Sequence, residues 1–169
     1  NTAPGVHVKL HDLSSEEMLR GVGAGRLHLG LMARPSERAL SGLKFERLRE
    51  YPICVALPPA HRLARGRQVA FKQIAEAPLV AYSRAEYPEY HAMLTKLFAG
   101  TGRTPRLVEE HDSAASLIAA VEIGRGLVIV PACLGMLAGG RLKLRPLHPP
   151  PPPIQLVAVF DPQRLTGAA

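Results

Sequence analysis

The sequence predicts an α/β fold: two Rossmann-like lobes facing each other across a ligand cleft. Three observations carry this. Short apolar runs alternate with amphipathic segments along the chain. They gather into two strand–helix–strand clusters, around residues 6–57 and 79–131. Neither an internal repeat nor a domain-sized linker separates the clusters. The 169 residues, 47% of them hydrophobic, suffice for one ordinary domain or two small lobes.

Taken in order, Val6–Leu10 alternates apolar and polar, which predicts a half-buried strand. A helix start follows, with Ser14 as cap, Glu17 three residues on, and Leu13 and Met18 at the staple positions. Leu27–Met32 is a short apolar run between turn residues, hence a buried strand, and strand–helix–strand spacing implies a parallel pair. Ser36–Gly42 is polar and loop-like. Ile53–Leu57 predicts another buried strand, stopped by Pro58-Pro59, and His61–Gln68 is basic and exposed.

Phe71–Ala75 predicts a helical turn or two, and Leu79–Tyr82 a third buried strand. Tyr90, Met93, Leu94, Leu97 and Phe98 recur at helical spacing, with Pro88 suited to the first turn and Gly100 to the end. Arg106–Glu110 is a short strand. Asp112 and Ser113 supply caps for a helix carrying Leu117, Ile118 and Val121. Leu127–Val130 is a continuous apolar strand ended by Pro131. A small helix over Cys133–Leu137 and an alternating Leu142–Leu147 follow. Pro149–Pro153 is a stiff connector into a last strand, Ile154–Phe160.

Several function classes are disfavoured. No apolar run approaches the roughly 18 residues a membrane span needs, and no signal-peptide pattern opens the sequence. The net charge of +7 invites a nucleic-acid reading, but the 21 Lys and Arg are dispersed and no basic-aromatic stacking pattern accompanies them. A basic surface favours anionic ligands. None of the common motifs for zinc hydrolysis, serine hydrolysis or phosphate binding is present, so the sequence predicts neither enzyme, metal site nor cofactor. Cys54 and Cys133 each lie in an apolar run and read as free, buried thiols.

Three stretches together resemble the effector-binding domain of LysR-type transcriptional regulators. They are Leu13–Leu19 followed by Gly25–Leu31; Leu57-Pro58-Pro59-Ala60-His61-Arg62-Leu63-Ala64; and Asp112–Leu117 running into Gly124–Pro131. The resemblance implies the type 2 periplasmic-binding-protein fold, with residues 1–56 and 142–169 in one lobe and 57–141 in the other. It also implies an effector bound between lobes, and a homodimer that becomes a tetramer in a full-length cytoplasmic protein. DNA contact would be made only by an N-terminal winged helix-turn-helix outside this sequence. The family pattern has one more strand and helix ahead of Pro4 and a helix after Phe160, so the sequence reads as part of a longer chain. A periplasmic solute-binding protein is the alternative on the same architecture, and a purely structural dimerisation module a third reading.

In open α/β sheets ligands sit beyond the carboxyl ends of the strands. That rule selects Tyr82-Ser83-Arg84, His111-Asp112-Ser113 and Arg34. The helices beginning after Ser113 and near Pro88 offer free amides to a carboxylate. The expected effector site is therefore Ser83, Arg84, Asp112, Ser113 and Arg34, with Val130 and Pro131 lining it by shape, and the expected ligand a small anionic metabolite. Capping alone would also account for Asp112 and Ser113, and a solvated surface for the two arginines.

Overall fold

A computed structural model describes residues 7–164. The elements in order are α1 (Ser15–Gly23), β1 (Gly30–Ala33), α2 (Glu37–Leu40), β2 (Lys44–Tyr51), β3 (Ile53–Leu57), β4 (Val69–Ala70), α3 (Phe71–Ile74), β5 (Leu79–Tyr82), α4 (Pro88–Ala99), β6 (Leu107–His111), α5 (Ala114–Glu122), β7 (Val128–Pro131), α6 (Leu134–Ala138), β8 (Lys143–His148) and β9 (Ile154–Phe160).

The strands form two bodies. In the first, β1, β9 and β2 make an antiparallel sheet with β9 in the centre. Leu19 of α1, Met32, Leu40, Val157 and Val159 form its core. In the second, β4, β8, β3 and β7 are neighbours in that order, and β5 and β6 make a parallel pair. A parallel bridge between Leu79 and Leu127, with Val80 N–H donating to the Leu127 carbonyl at 2.9 Å, sets β5 beside β7.

Period-2 geometry explains why the strands of this second body read as unbroken apolar runs. Val55 and Leu57 of β3, Leu79 and Ala81 of β5, and Ile129 of β7 face one core, with Leu94 and Phe98 of α4. Their neighbours Ala56, Val80, Val128 and Val130 face the other, with Leu117, Ile118 and Val121 of α5 and Leu134 of α6. A sheet covered on both faces has no polar face to alternate with.

Gly126 sits where two backbones touch. A Cβ there would lie 2.8 Å from the Pro78 carbonyl oxygen and 3.1 Å from the Val80 nitrogen, so the β5–β7 approach needs glycine.

Five expectations change. Val6 lies outside the described residues, and His7–Leu10 forms no strand: Val8 and Leu10 are 76% and 85% exposed. Alternation makes a strand only where a sheet edge receives it, and among the described residues none does. The first cluster is therefore not a parallel strand–helix–strand unit, because β1 pairs antiparallel with β9. Ser36–Gly42 is not all loop; Ser36 caps α2, its hydroxyl accepting from Ala39 N–H at 3.2 Å. β2 has no counterpart among the expected strands. Lobe boundaries at 56/57 and 141/142 cut through the second sheet, since β3 pairs with both β7 and β8. By sheet membership the chain crosses between bodies at Pro52 and along Pro149–Pro153.

Candidate functional site

The carboxyl ends of β5 and β6 lie side by side because the two strands run parallel. Ser83 N–H donates to the His111 carbonyl at 2.9 Å, which sets Ser83 against the Asp112-Ser113 turn that begins α5. Ser113 caps that helix, its hydroxyl accepting from Ser116 N–H at 3.2 Å. The half-buried Ser83 hydroxyl has no partner among the described residues. Arg84 is anchored by its backbone, whose N–H donates to Glu110 Oε2 at 2.9 Å, leaving the exposed guanidinium free to reach a ligand.

Ser83, Arg84, Asp112 and Ser113 are thus brought together. The other three expected residues lie on other elements. Arg34 belongs to the first body, where it pairs with Glu37 at 2.7 Å and lies over the Phe45 ring at 4.7 Å. Val130 is fully buried in the core beneath α5 and presents no side-chain surface. Pro131 is half-buried at the end of β7, in register with Ile53.

Sequence reasoning selected Tyr82 at the strand end without giving it a place in the site, and missed Tyr87, His91 and the acids Asp12, Glu17 and Glu89 near them. The Tyr82 and Tyr87 rings lie 4.5 Å apart, and Tyr87 donates its hydroxyl to the Asp112 carbonyl at 3.0 Å. His91 is buried; its Nε2 lies 2.7 Å from the Tyr82 carbonyl, which can only accept, so the proton sits on Nε2. Burial, then the charges of Asp12, Glu17, Glu89 and Asp112, push the Tyr87 phenol up to about 12. Burial first, with Tyr87, Cys133 and Asp12 behind it, pushes Tyr82 higher still. Both phenols are neutral donors at physiological pH. A tyrosine at a strand's carboxyl end was the available signal.

The helix N-terminus near Pro88 is not open to a ligand. Glu89 lies in its first turn, and that carboxylate accepts from the Ser15 hydroxyl at 2.5 Å. Glu86, just upstream, accepts from the Ser14 hydroxyl at 2.5 Å, while its carbonyl accepts from Glu16 N–H at 3.2 Å. Arg20 reaches Glu86 at 3.7 Å. The start of α1 in the first body is thereby clasped to the start of α4 in the second. Of the two helix starts singled out by the sequence, only that of α5 is left. Among the described residues no cluster of three or more His, Cys, Asp or Glu side chains could hold a metal, and no helix is long and apolar enough to cross a membrane.

Domains built of two α/β bodies joined by two chain crossings are the class this architecture defines. The family described as the LysR substrate binding domain matches residues 1–169, and the chain belongs to that family. It is 30% identical over 149 residues to the HTH-type transcriptional regulator IlvR of Caulobacter vibrioides, an alignment covering 88% of this chain and 50% of that protein. The chain spans about half the length of the curated relatives it matches.

Among solved structures it resembles the regulatory domain of Synechocystis CcmR in complex with 2-PG, with a TM-score of 0.77 at 17% identity, covering 98% of this chain and 77% of that one. It also resembles the effector-binding domain of QuiR in complex with shikimate, with a TM-score of 0.75 at 14% identity, covering 87% and 68%. These likenesses establish the fold expected from the sequence, the type 2 periplasmic-binding-protein-like fold. Family membership makes the chain a LysR substrate binding domain and favours effector sensing over a transport role.

Proposed function

We propose that this domain senses a small organic acid at the start of α5 and passes the signal to a DNA-binding part of the full-length protein. The observation that carries the reading is the juxtaposition of the unpartnered Ser83 hydroxyl with the α5 N-terminus across the 2.9 Å Ser83–His111 hydrogen bond. A carboxylate there meets backbone N–H groups, the positive end of the helix dipole and two hydroxyls. Arg84 is within the same loop pair and adds a charge-assisted contact. Asp112 and the two tyrosines serve the other end of the ligand, which must carry hydroxyl or amino groups, because a second anion would be repelled by Asp12 and Asp112.

CcmR and QuiR hold their small molecules in domains of this same fold, which supports placing an effector here. In the full-length protein the domain pairs as a homodimer and assembles as a tetramer in the cytoplasm, and ligand acts by favouring one arrangement of the bodies. The shift it produces is bounded by its difference in affinity for the two arrangements.

A thermal-shift screen of organic acids against the full chain tests this. A true effector raises the melting temperature with concentration, by about 5 °C or more at a hundredfold excess over Kd. Arg84→Ala and Ser113→Ala each shrink the response. If both variants respond like the parent protein, the effector does not bind at this turn.

A further inference from the structure

A cavity lies at the carboxyl end of α4. It has a volume of about 620 Å³ and sits between α3, the last turn of α4 and the proline connector. Its nearest α4 residue, Lys96, lies eight residues beyond Pro88 at the α4 start, roughly 12 Å at the usual rise per residue. Its floor is apolar: Phe71, held edge-on against buried Phe98 at 5.0 Å, together with Leu97. Pro149, Pro150 and Pro151 form one wall, offering flat faces and no N–H donors.

The rim is cationic. Lys72, Lys96 and Arg103 line it, and Arg106 lines an adjoining hollow of about 450 Å³ that shares Arg103. Glu76 is the one carboxylate among the lining residues of both, and it is already paired with Arg103. Among the described residues no acid pairs with Lys72, Lys96 or Arg106. Apolar floor and uncompensated lysines together describe an amphiphilic anion: a flat apolar body on Phe71 and the prolines, and a carboxylate at Lys72 and Lys96.

We propose that this cavity is a second ligand site, taking a small carboxylate with a flat apolar body. Its place gives it a consequence. The proline wall is the chain crossing that joins β8 of one body to β9 of the other, so an occupant stiffens that crossing and biases how the bodies sit. The site is independent of the effector turn and stands even if that assignment fails.

The test uses ¹⁵N-labelled full chain titrated with benzoate, and with benzyl alcohol as its neutral counterpart. Benzoate shifts the amide signals of Lys72, Leu97 and Thr101 saturably. The amides of His148 and Ile154, which flank the prolines, move with the same midpoint. Benzyl alcohol gives less than about a fifth of the affinity. The exposed pair Lys72→Met and Lys96→Met raises Kd about fivefold, the size expected for two partly screened contacts. Ser113→Ala leaves the midpoint unchanged. The proposal is overturned if benzoate produces no saturable shift at these amides, if benzyl alcohol binds equally well, or if the double lysine variant binds like the parent. A saturable shift at Lys72 with His148 and Ile154 unmoved overturns the coupling to the crossing.

Discussion

Glu89 concentrates the physics of this molecule in one side chain. Loss of solvent raises its pKa, and the Ser15 hydrogen bond works in the opposite direction without cancelling it. A carboxyl whose folded-state pKa lies above its unfolded value holds its proton more tightly in the native protein. Its contribution is fully present below the unfolded value and is lost as pH rises through the folded one. The neutral Glu89→Gln variant keeps the acceptor for Ser15 and removes that loss. Its melting temperature should exceed the parent's by about 2 °C at pH 7.5, with the difference closing toward pH 4. An unchanged gap across that range would show that Glu89 is not desolvated. Gly126 gives a second residue-scale prediction. The Pro78 oxygen would lie 2.8 Å from an added methyl carbon, so Gly126→Ala must push β5 from β7. It should cost about 1–3 kcal/mol in urea denaturation, and a neutral result would mean that the two strands are not in contact there.

At the scale of elements, what was legible in the sequence depended on whether one segment's pattern had one cause. α1 announced itself because its cap is local: Ser14 accepts from Glu17 N–H at 3.2 Å, and Glu17 accepts from Ser14 N–H at 2.9 Å. β3, β5 and β7 were visible because burial on both faces leaves an unbroken apolar run. β2 was hidden by its own irregularity. Its pairing with β9 slips between Arg47 and Arg49, so Phe45, Leu48 and Tyr51 fall three apart and mimic no strand. His7–Leu10 erred the opposite way: a clean alternation has no neighbour among the described residues to complete it. Of the candidate site, the meeting of Ser83 with the turn before Ser113 could be read because the rule of strand carboxyl ends is topological. The local surroundings of Arg34 and Val130, an ion pair with Glu37 and a fully buried core position, could not be read, because the facing of a loop and of a core strand depends on sheet order, which no single segment encodes. The clasp between α1 and α4 was unreadable for the same reason, joining residues at sequence separations of 72 and 74.

At the scale of the whole molecule, two peptide crossings and that clasp connect the bodies. Ser14 and Ser15 are buried, at 4% and 3% exposure, and both spend their hydroxyls on carboxylates of the other body. Ser15 is the cleaner probe, because Ser14 also caps α1. A double-mutant cycle with Ser15→Ala and Glu89→Ala isolates one bond of the clasp. A charge-assisted, partly desolvated bond of this kind should show a coupling of about 1–2 kcal/mol in urea denaturation. The same variants bear on sensing. If effector binds the clasped arrangement, Ser15→Ala lowers the fraction of molecules already in it. The apparent Kd then rises by the reciprocal of that fraction, although no residue at the α5 start has changed. A coupling near zero would mean that the serine and glutamate are neighbours without holding the bodies together. A normal coupling with unaltered effector affinity would place the ligand's preference on some arrangement other than the clasped one.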